Sequence, residues 1–515
     1  MRSTRALLAM VLCMSAAGSW ARGQVLPFDH WLNLYLETAA ASPNAFELQR
    51  AVWPQDRQAA TSLATRPAEA RAGVPLPVWA YELLRAELRH EIAAQREESS
   101  RQWDAWRVGP AWLSGERLAA QAQGGGYFLH GEGRVQFAPG VYVYLRVRAT
   151  PDSAEVPAFT GHPREKRRLG GLNAAECDYA FIECAGAWLT ARFGRFKESW
   201  GPGDANSVWL SAWGPAYDGA LVELRYRRFQ FRALTAYLET VVDRSTKGNV
   251  HRYLATHMLT YGNGRTLWLG VGEGMLYAGV DRPLSIAYAN PFMMYQEYER
   301  NARTNELSKN RDNWFLTGWV EWFPVRRLRT WAFLMIDDVQ LDREPIPDAT
   351  GVRAGASYVL GPTAGVARYD YVRISTWTYR HQTPHINYVA RGLPLGFRAG
   401  SDMDRHEASW TGFPLRYVTA RAWLAYERRG ELDIVQDPYR LREFPHHWRF
   451  PWGVVEKTAE VGVAARFQPR PNVLLEGGFQ WRHRRNAGHG EGKRVSEVAG
   501  QVALSLAVDF SVHRP

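Results

Sequence analysis

Apolar and polar residues alternate from Gly124 to the end of the chain, and this period of two constrains the fold more than any other feature of the sequence. One alternating stretch runs from Leu129 to Phe137 and the next from Val141 to Arg148, with Ala138-Pro139-Gly140 between them. Successive side chains of a β-strand point to opposite faces, so each stretch predicts a strand with one apolar and one polar face. The tripeptide predicts a turn, and the two strands form a hairpin.

Two further hairpins and a closing strand repeat the alternation. In the first hairpin, the parity of the apolar positions shifts by one residue at Arg227-Arg228, which marks a turn. The strands of these hairpins are Val222–Tyr226 with Phe229–Ala233, and Val461–Phe467 with Val473–Trp481 across a turn at 468–472; the closing strand covers 501–512. Longer polar segments at 152–177, 381–409 and 433–451 predict the loops of the opposite side.

Charged residues lie on one face of each predicted hairpin, and after the first 21 residues no run of ~18 apolar residues predicts a membrane-spanning helix. In lipid, a closed barrel satisfies the backbone hydrogen bonds, and its watery interior accepts the charged face. Roughly 390 residues from Gly124, at ~10 residues per tilted strand plus turns and loops, give about 16–18 antiparallel strands. We therefore predict an all-β transmembrane barrel. A soluble antiparallel β-protein remains the alternative, because its sheets also alternate.

The residues before this region predict a different organisation. Two arginines precede an apolar run from Ala6 to Ala17 and a triplet of small residues and tryptophan, which is the order of a secretory signal peptide. Downstream, Trp79, Leu83 and Leu84 follow helical spacing, so we predict a helical periplasmic region. This region either forms a plug or packs on the periplasmic rim of the barrel. The predicted boundaries are 1–21 for the signal peptide, 22–123 for the helical region and 124–515 for the barrel.

An excess of basic residues bears on the partners of the chain, which carries 63 Lys plus Arg against 52 Asp plus Glu and a formal charge of +11. The basic residues are scattered singly along strands, and an exported protein rarely meets nucleic acid, so we expect no nucleic-acid partner. An acidic polysaccharide or the phosphates of lipopolysaccharide suit this balance, beside the lipid of the outer membrane. The 22 tryptophans indicate membrane-interface girdles or surfaces that stack on sugar rings.

Two cysteines, Cys177 and Cys184, remain after the signal peptide, so a dense disulfide framework is excluded. A disulfide between them would close a short loop, and the alternative is two free thiols. Connectivity is not readable from sequence, so both states stay open.

The sequence lacks the motifs of the common enzyme and metal-site classes. A nucleophile elbow, a phosphate-binding P-loop, a zinc-protease motif and paired Cys-x-x-Cys sites are all absent. Gly270-Val271-Gly272-Glu273-Gly274 has the wrong spacing for a dinucleotide site and predicts strand glycines that let large neighbours pack. Two histidine pairs and two acidic pairs fit polar surface better than metal ligation or acid–base catalysis. These pairs are His381 with His385, His446 with His447, Asp337 with Asp338, and Glu297 with Glu299. We expect no enzymatic activity, no cofactor and no bound metal.

The most unusual string runs from Gly194 to Ser207, after a predicted strand that ends at Phe193. Its Trp-Gly-Pro-Gly segment does not continue a central strand, because proline lacks the backbone donor and glycines favour turns. We predict a tight loop or inward fold shaped by Gly201, Pro202 and Gly203. The candidate polysaccharide-binding residues are Arg195, Lys197, Glu198, Trp200 and Asp204. Their alternative role is structural closure of the barrel interior.

At this string the sequence resembles the capsule assembly Wzi family of outer-membrane proteins, in which a strand ending in Gly-Arg leads into a Trp-Gly-Pro-Gly turn. Further points of resemblance are Asn290-Pro291, Asp312-Asn313 before the strand Trp314–Trp322, and the segment Trp331–Asp338. The resemblance implies an outer-membrane barrel of about 18 strands, a helical periplasmic region and a blocked lumen. It also implies a lectin-like role, in which the protein binds exported capsular polysaccharide and helps to organise it on the cell surface.

We therefore expect a non-enzymatic, monomeric outer-membrane protein that binds capsular or another surface polysaccharide. Tryptophan and arginine support this hypothesis, because they stack on sugar rings and pair with carboxylate or phosphate groups. A channel for small anionic or sugar solutes is the alternative, and it requires an open lumen. A membrane-bound glycan-modifying enzyme is a third class, and it requires two carboxylates that converge in one pocket.

Overall fold

The computed structural model describes most of the chain between His30 and Val512. The described residues are 30–45, 48, 52–53, 57–89, 92, 112–123, 126–138, 140–151, 159–161, 173–242, 248–302, 312–338, 348–381, 383–435 and 450–512. The predicted signal peptide and the pair His446 and His447 lie outside them. The strands are β1 (Val52–Trp53), β2 (Trp112–Gln123), β3 (Gly126–Ala138), β4 (Val141–Thr150), β5 (Ala174–Ala185), β6 (Leu189–Phe196), β7 (Ser199–Trp200), β8 (Tyr217–Tyr226), β9 (Phe229–Val242), β10 (Asn249–Gly262), β11 (Leu267–Val280), β12 (Asn313–Val325), β13 (Leu328–Asp338), β14 (Ala349–Gly361), β15 (Gly365–Ile374), β16 (Val389–Ala390), β17 (Leu393–Pro394), β18 (Met403–Leu415), β19 (Val418–Arg429), β20 (Glu456–Arg470), β21 (Val473–Arg485) and β22 (Arg494–Val512).

Eighteen of the described strands form one closed antiparallel barrel. Each pairs with its neighbours along the wall, and β2 closes the barrel against β22, with Leu118 opposite Val508. The predicted all-β barrel is therefore confirmed, at the upper end of the predicted strand number. The short strands β1, β7, β16 and β17 lie outside the wall, where β1 pairs with β7 and β16 pairs with β17.

The barrel begins at Trp112, one strand before the boundary predicted at Gly124. In the C-terminal half of β2, alanine and glutamine stand where the other strands carry large apolar residues. A register shift between Ser114 and Arg117 interrupts its pairing with β3. Because the period of two is weak here, the sequence did not separate this strand from the helical region, and the predicted boundary is wrong by one strand.

The long connections of the wall all lie at one end of the barrel, and the other end carries short turns. Residues 227–228 form one of the short turns, as predicted, and residues 471–472 form another, inside the turn predicted at 468–472. The connections 281–312 and 375–402 are long. In outer-membrane barrels the short turns face the periplasm and the long loops face the cell exterior, which orients the wall. β5 and β18 begin inside the loops predicted at 152–177 and 381–409, because Ala174 and Met403 already pair with neighbouring strands.

The outward faces of the strands form an apolar band. Leu424, Val461 and Phe479 lie on this face, and Val502 is 68% exposed. Exposure of large apolar side chains along many adjacent strands is what contact with lipid requires, while the closed wall leaves no unpaired edge in the membrane. The protein is therefore an outer-membrane barrel, as predicted.

Two glycines of β11 make room for large side chains inside the barrel. A Cβ atom at Gly270 would lie 2.1 Å from the indole of Trp319, and one at Gly272 would lie 2.3 Å from the indole of Trp209. Since glycine has no side chain, these luminal rings occupy the space against the wall. The prediction of strand glycines that let large neighbours pack is confirmed.

The described helices are α1 (Leu32–Ala40), α2 (Arg57–Ala64), α3 (Val78–Glu87), α4 (Ile286–Ala289) and α5 (Tyr295–Ala302). The first three pack together, and the described residues between 30 and 92 are called the plug below. Leu36 and Leu84 are fully buried in its core. Trp79 lies 5.7 Å from the ring of Phe413 and 5.7 Å from that of Tyr417, in the short turn after β18. The helical N-terminal region is confirmed, and it lies at the periplasmic end. No helix among the described residues is both long and apolar enough to cross a membrane.

The helices α4 and α5 lie against the outside of the barrel rather than above it. They cover Glu273, which shares its face of β11 with the exposed Leu269. The backbone N–H of Tyr295 donates to Glu273 at 2.8 Å, and the indole N–H of Trp314 donates to it at 2.9 Å. An unpaired carboxylate facing lipid would be costly, so these donors explain how Glu273 is accommodated on the outer wall. Residues 281–302 are called the outer excursion below.

Cys177 and Cys184 both lie on β5 and are free thiols. The separation of seven residues along one strand amounts to ~23 Å at ~3.3 Å per residue. A disulfide requires Cα atoms roughly 4.4–6.8 Å apart. The possible disulfide is therefore wrong, and the alternative of two free thiols holds.

Candidate functional site

The Trp-Gly-Pro-Gly string forms part of a segment that folds into the lumen, residues 197–216, called the first strap. It leaves the wall at the end of β6 and returns at the start of β8, although these strands pair directly, with Phe196 opposite Tyr217. Gly201 and Gly203 have φ angles of 127° and 109°, which side-chain-bearing residues rarely adopt. Pro202 between them has no backbone donor to leave unpaired. These residues turn the chain inward as soon as β6 ends.

A buried tryptophan pair forms the apolar centre of the first strap. Trp200 and Trp209 are both fully buried, and their rings meet edge to face with centroids 5.3 Å apart. The hydroxyl of Ser207 donates to the carbonyl of Trp200 and accepts the backbone N–H of Trp209 at 3.1 Å. The strap is thus folded on itself as well as against the wall.

Glu198 ties the first strap to the wall by charge. Its carboxylate pairs with Arg192 of β6 at 2.5 Å and with Arg232 of β9 at 3.3 Å, and it accepts the indole N–H of Trp200 at 3.1 Å. All four residues are buried. Breaking a buried ion pair by removing one partner leaves an uncompensated charge, so this contact fixes the strap firmly.

Asp204 makes the second charged attachment. It lies 3.0 Å from Arg353 of β14 and 3.1 Å from Arg368 of β15, and it accepts the backbone N–H of Asn206 at 2.9 Å. Burial alone would raise the pKa of Asp204, but the two guanidinium groups and the Asn206 N–H outweigh it and hold the pKa well below its ordinary value. Gly203 permits this approach, since a Cβ there would lie 2.6 Å from the Arg353 guanidinium.

The structure does not bring the five predicted binding residues to one surface. Lys197, Glu198 and Trp200 are at most 1% exposed inside the barrel. The Asp204 side chain is 30% exposed within the lumen. Arg195 points the other way, since it shares its face of β6 with Phe193, which is 69% exposed on the outer wall.

Arg195 has a partner on that outer wall. Its guanidinium donates to Asp218 of β8 at 2.9 Å and to the carbonyl of Cys177 at 3.5 Å. This pair lies near the exterior ends of β6 and β8, so Arg195 is separated from the other four residues by the barrel wall.

Residues 375–402 form a second strap, which the sequence predicted only as part of a long loop. The backbone N–H of Ser211 in the first strap donates to the carbonyl of Leu395 at 2.8 Å. The hydroxyl of Tyr379 donates to the carbonyl of Val208. Tyr379 and Tyr388 are buried and stack at 5.3 Å. Large apolar and aromatic residues inside a predicted polar loop were the available signal that this loop is not solvated.

Side chains near the exterior ends of β9 and β10 hold the second strap against the wall. Arg252 of β10 donates to the carbonyl of Asn387 at 2.8 Å, and Glu239 of β9 accepts the backbone N–H of Arg391 at 3.0 Å. Asp337, from one of the acidic pairs, accepts the backbone N–H of Tyr379. His381 and His385 belong to this strap, and no group of metal-binding side chains is found among the described residues.

The plug meets the first strap from the periplasmic side. β1 of the plug pairs with β7 of the strap, with Val52 opposite Trp200 and Trp53 opposite Ser199. Plug and straps are therefore joined in one continuous set of contacts inside the barrel.

A titratable group lies at this junction. Burial and the neighbouring Asp204 raise the pKa of Glu37 in α1 to about 7, although Arg368, Arg421 and Arg353 act in the opposite sense. The charge of this carboxylate therefore changes near neutral pH.

An aromatic surface with a basic edge remains accessible where the straps meet. The guanidinium of Arg398 lies 5.3 Å above the ring of Trp213, and the backbone N–H of Arg398 donates to the Asn206 side chain at 2.9 Å. Arg398 is exposed and Trp213 partly so. Indole faces stack on sugar rings, and guanidinium groups pair with carboxylates, so this pair has the chemistry to hold an acidic sugar. Sequence reasoning missed both residues.

The fold is found in solved structures. Wzi of Escherichia coli, described as an outer membrane protein involved in group 1 capsule assembly and as a carbohydrate-binding β-barrel, aligns with a TM-score of 0.57. The alignment covers 93% of this chain and 98% of Wzi, at 13% sequence identity. This chain has the Wzi fold. OprD of Pseudomonas aeruginosa aligns over 78% of this chain and 96% of its own, with 10% identity and a TM-score of 0.43. No protein-family model and no curated protein sequence matches the chain.

Proposed function

We propose that this protein is a non-enzymatic outer-membrane protein that binds exported capsular or other surface polysaccharide and helps to organise it at the cell surface. The observation that carries the proposal is that two straps and the plug occupy the lumen. The straps are tied to the wall by the ion pairs of Glu198 and Asp204. A barrel closed in this way is suited to holding a polymer at its outer end rather than passing one through.

The surface chemistry supports the same proposal. Trp213 and Arg398 offer an aromatic face beside a guanidinium, on two straps that both leave the wall at its exterior end. Wzi, a carbohydrate-binding barrel involved in capsule assembly, has the same fold, which agrees with this proposal. In this proposal Glu198, Trp200 and Asp204 act by holding the first strap in place, and the glycan contacts the accessible aromatic and basic side chains.

The test is binding of a purified acidic capsular polysaccharide to the folded protein in detergent, measured by calorimetry. We expect Trp213→Ala and Arg398→Gln each to weaken binding about tenfold, because one stacking or charge-assisted contact is worth ~1–2 kcal/mol. Trp188→Ala is the matched control, since Trp188 is 50% exposed in a periplasmic turn. If the wild-type protein binds no glycan, or if the control weakens binding equally, the proposal fails.

A channel for small anionic or sugar solutes is the second candidate function. One side of the lumen favours this function, because charged side chains there border solvent-accessible space. The Arg482 side chain of β21 is 48% exposed, and the Glu497 side chain of β22 is 46% exposed. Planar-bilayer conductance of the wild-type protein separates the two candidates. A steady ionic current would support a channel, whereas a silent bilayer with retained glycan binding supports the polysaccharide-binding role.

A further inference from the structure

Five basic residues lie in one row around the outside of the barrel. The register places Arg428 of β19 opposite Lys457 of β20, Lys457 opposite Arg485 of β21, and Arg485 opposite Arg494 of β22. On the other side of Arg428 along the row, Asp404 of β18 lies opposite Arg428, and Arg373 of β15 lies opposite Asp404. These side chains are separated in sequence by loops and turns, and only the barrel brings them side by side. This set is called the basic row below.

The basic row faces outward. Arg428 shares its strand face with Leu424, Lys457 with Val461, Arg485 with Trp481, and Arg494 with Val498; each of these four apolar residues is between 38% and 64% exposed. Lys457, Arg485 and Arg494 are themselves exposed. Alternate residues of a strand share a face, so the row belongs to the lipid side of the wall and not to the lumen.

The row also lies at a defined depth. Leu424, Val461, Trp481 and Val498 are opposite one another in the same register, which makes a second, apolar row four residues away. At ~3.3 Å per residue, the basic row lies ~13 Å along the strands from it, toward the exterior ends. Barrels of this class change from an apolar band to polar residues where acyl chains give way to headgroups. The basic row is therefore level with the outer headgroups.

The charge of the row is not balanced by the protein. Arg428 donates to Asp404 at 2.9 Å. Lys457, Arg485 and Arg494 form no ion pair with any carboxylate in the described part of the chain. Like charges directly opposite each other on neighbouring strands destabilise a sheet. Three adjacent cations at this position therefore create a site that an external anion would stabilise.

We propose that the basic row binds the phosphorylated headgroups of the glycolipid in the outer leaflet, that is, of lipopolysaccharide. Phosphate oxygens accept paired hydrogen bonds from arginine, and the acyl chains of the same molecule lie against the apolar row below. An extracellular polysaccharide has no part that fits the apolar row. The combination of cations above and apolar side chains below therefore selects an amphiphile with an anionic head.

The test uses detergent-purified protein freed of lipid and two probes, lipid A carrying both phosphates and the same lipid A with its phosphates removed. Bound lipid is counted by native mass spectrometry. The test variant is Lys457→Gln with Arg485→Gln and Arg494→Gln, and the matched control is Arg228→Gln with Arg326→Gln and Arg327→Gln, three exposed cations on periplasmic turns. Both variants lose three positive charges.

We expect the wild-type protein to prefer the phosphorylated probe and the test variant to bind it at least about tenfold more weakly, because three cations that attract the anionic headgroup are lost. The control and a charge-preserving variant, Lys457→Arg with Arg485→Lys and Arg494→Lys, should keep the preference. The heat-dependent gel shift verifies that each variant is folded. Equal binding of both probes by the wild-type protein, unchanged binding by the test variant, or an equal loss in the control would overturn the proposal. The proposal would also be overturned if the test variant still bound lipid A but no longer bound the capsular polysaccharide, because the basic row would then be a polysaccharide site.

Discussion

Opposite charges inside the barrel are paired side chain to side chain. Arg192 lies between Glu183 and Glu198, at 2.6 and 2.5 Å, and Arg353 lies between Asp370 and Asp204. Removal of one member of a buried pair costs about 3–5 kcal/mol, because the remaining charge has lost its partner without regaining water. The lumen therefore accommodates the buried Arg192 and Arg353 as members of these pairs.

The close contact between β11 and the first strap leaves no room for a side chain at Gly272. Gly272→Val should lower the free energy of unfolding by about 1–3 kcal/mol, because the new side chain enters space that the Trp209 indole and the His257 carbonyl oxygen occupy. Gly477→Val is the control, since no atom lies within 4 Å of a Cβ built at Gly477 of β21. The temperature at which the compact band is lost on gels measures both. Equal shifts for the two variants would show that Trp209 is not the cause.

The stability of the plug should depend on pH through Glu37. The folded-state pKa of Glu37, about 7, exceeds its ordinary value, so folding favours the protonated acid. Its stabilising contribution is complete below the ordinary pKa and is lost as the pH rises through about 7. Hydrogen exchange of α1 should therefore be slower at pH 5 than at pH 8.5 after correction for intrinsic rates.

The matched variant for this prediction is Glu37→Gln, which cannot ionise. Its protection in α1 should not change between the two pH values. If the variant keeps the full pH dependence of the wild-type protein, another group controls the junction.

The position of Arg195 could have been predicted from the sequence, but that of Lys197 could not. Phe193 and Arg195 have the same parity on β6, so the alternation that assigned Phe193 to the apolar face assigns Arg195 to the outer wall. Lys197 follows the end of the strand, where parity no longer applies. Its burial depends on the inward path of the strap, which no local pattern specifies.

The two straps occupy part of the lumen and are joined to each other. Ser211 and Leu395 join them through the backbone, and Arg398 joins them through Asn206. Replacement of residues 383–396 by a short Gly-Ser linker should therefore open the lumen and give a measurable current in planar bilayers. The same linker in place of residues 487–492, in the exterior connection after β21, is the control and should give none. A silent strap variant that still shows the compact band would mean that the plug and the first strap suffice to close the barrel.

The wall was predictable from the sequence and the interior was not. Alternation specifies strands, as in β3 with β4 and β8 with β9, because the face of each side chain follows from its parity alone. The straps depend on contacts between residues far apart, such as Tyr379 with Val208 and Arg353 with Asp204. The outer excursion escaped prediction for the same reason, since the donors that Glu273 meets, the Tyr295 backbone and the Trp314 indole, are far from it in sequence.

At the scale of the whole molecule, the closed wall predicts the behaviour of the intact protein. Unboiled protein from the outer-membrane fraction should migrate as a compact band, and boiling should slow it, because the antiparallel ladder closes on itself and resists detergent at room temperature. The expected particle is a monomer, which light scattering in detergent measures. A soluble protein with no mobility shift would be incompatible with the barrel.

The seam between β2 and β22 bears on the order of events in biosynthesis. The plug precedes β2 along the chain, and β2 begins at the periplasmic end of the barrel, where its partner β22 ends. Once β2 and β22 have paired, the plug can reach β7 only through the periplasmic opening of the barrel. Closure of the wall and docking of the plug are therefore separable steps, because the barrel can be complete before Val52 pairs with Trp200.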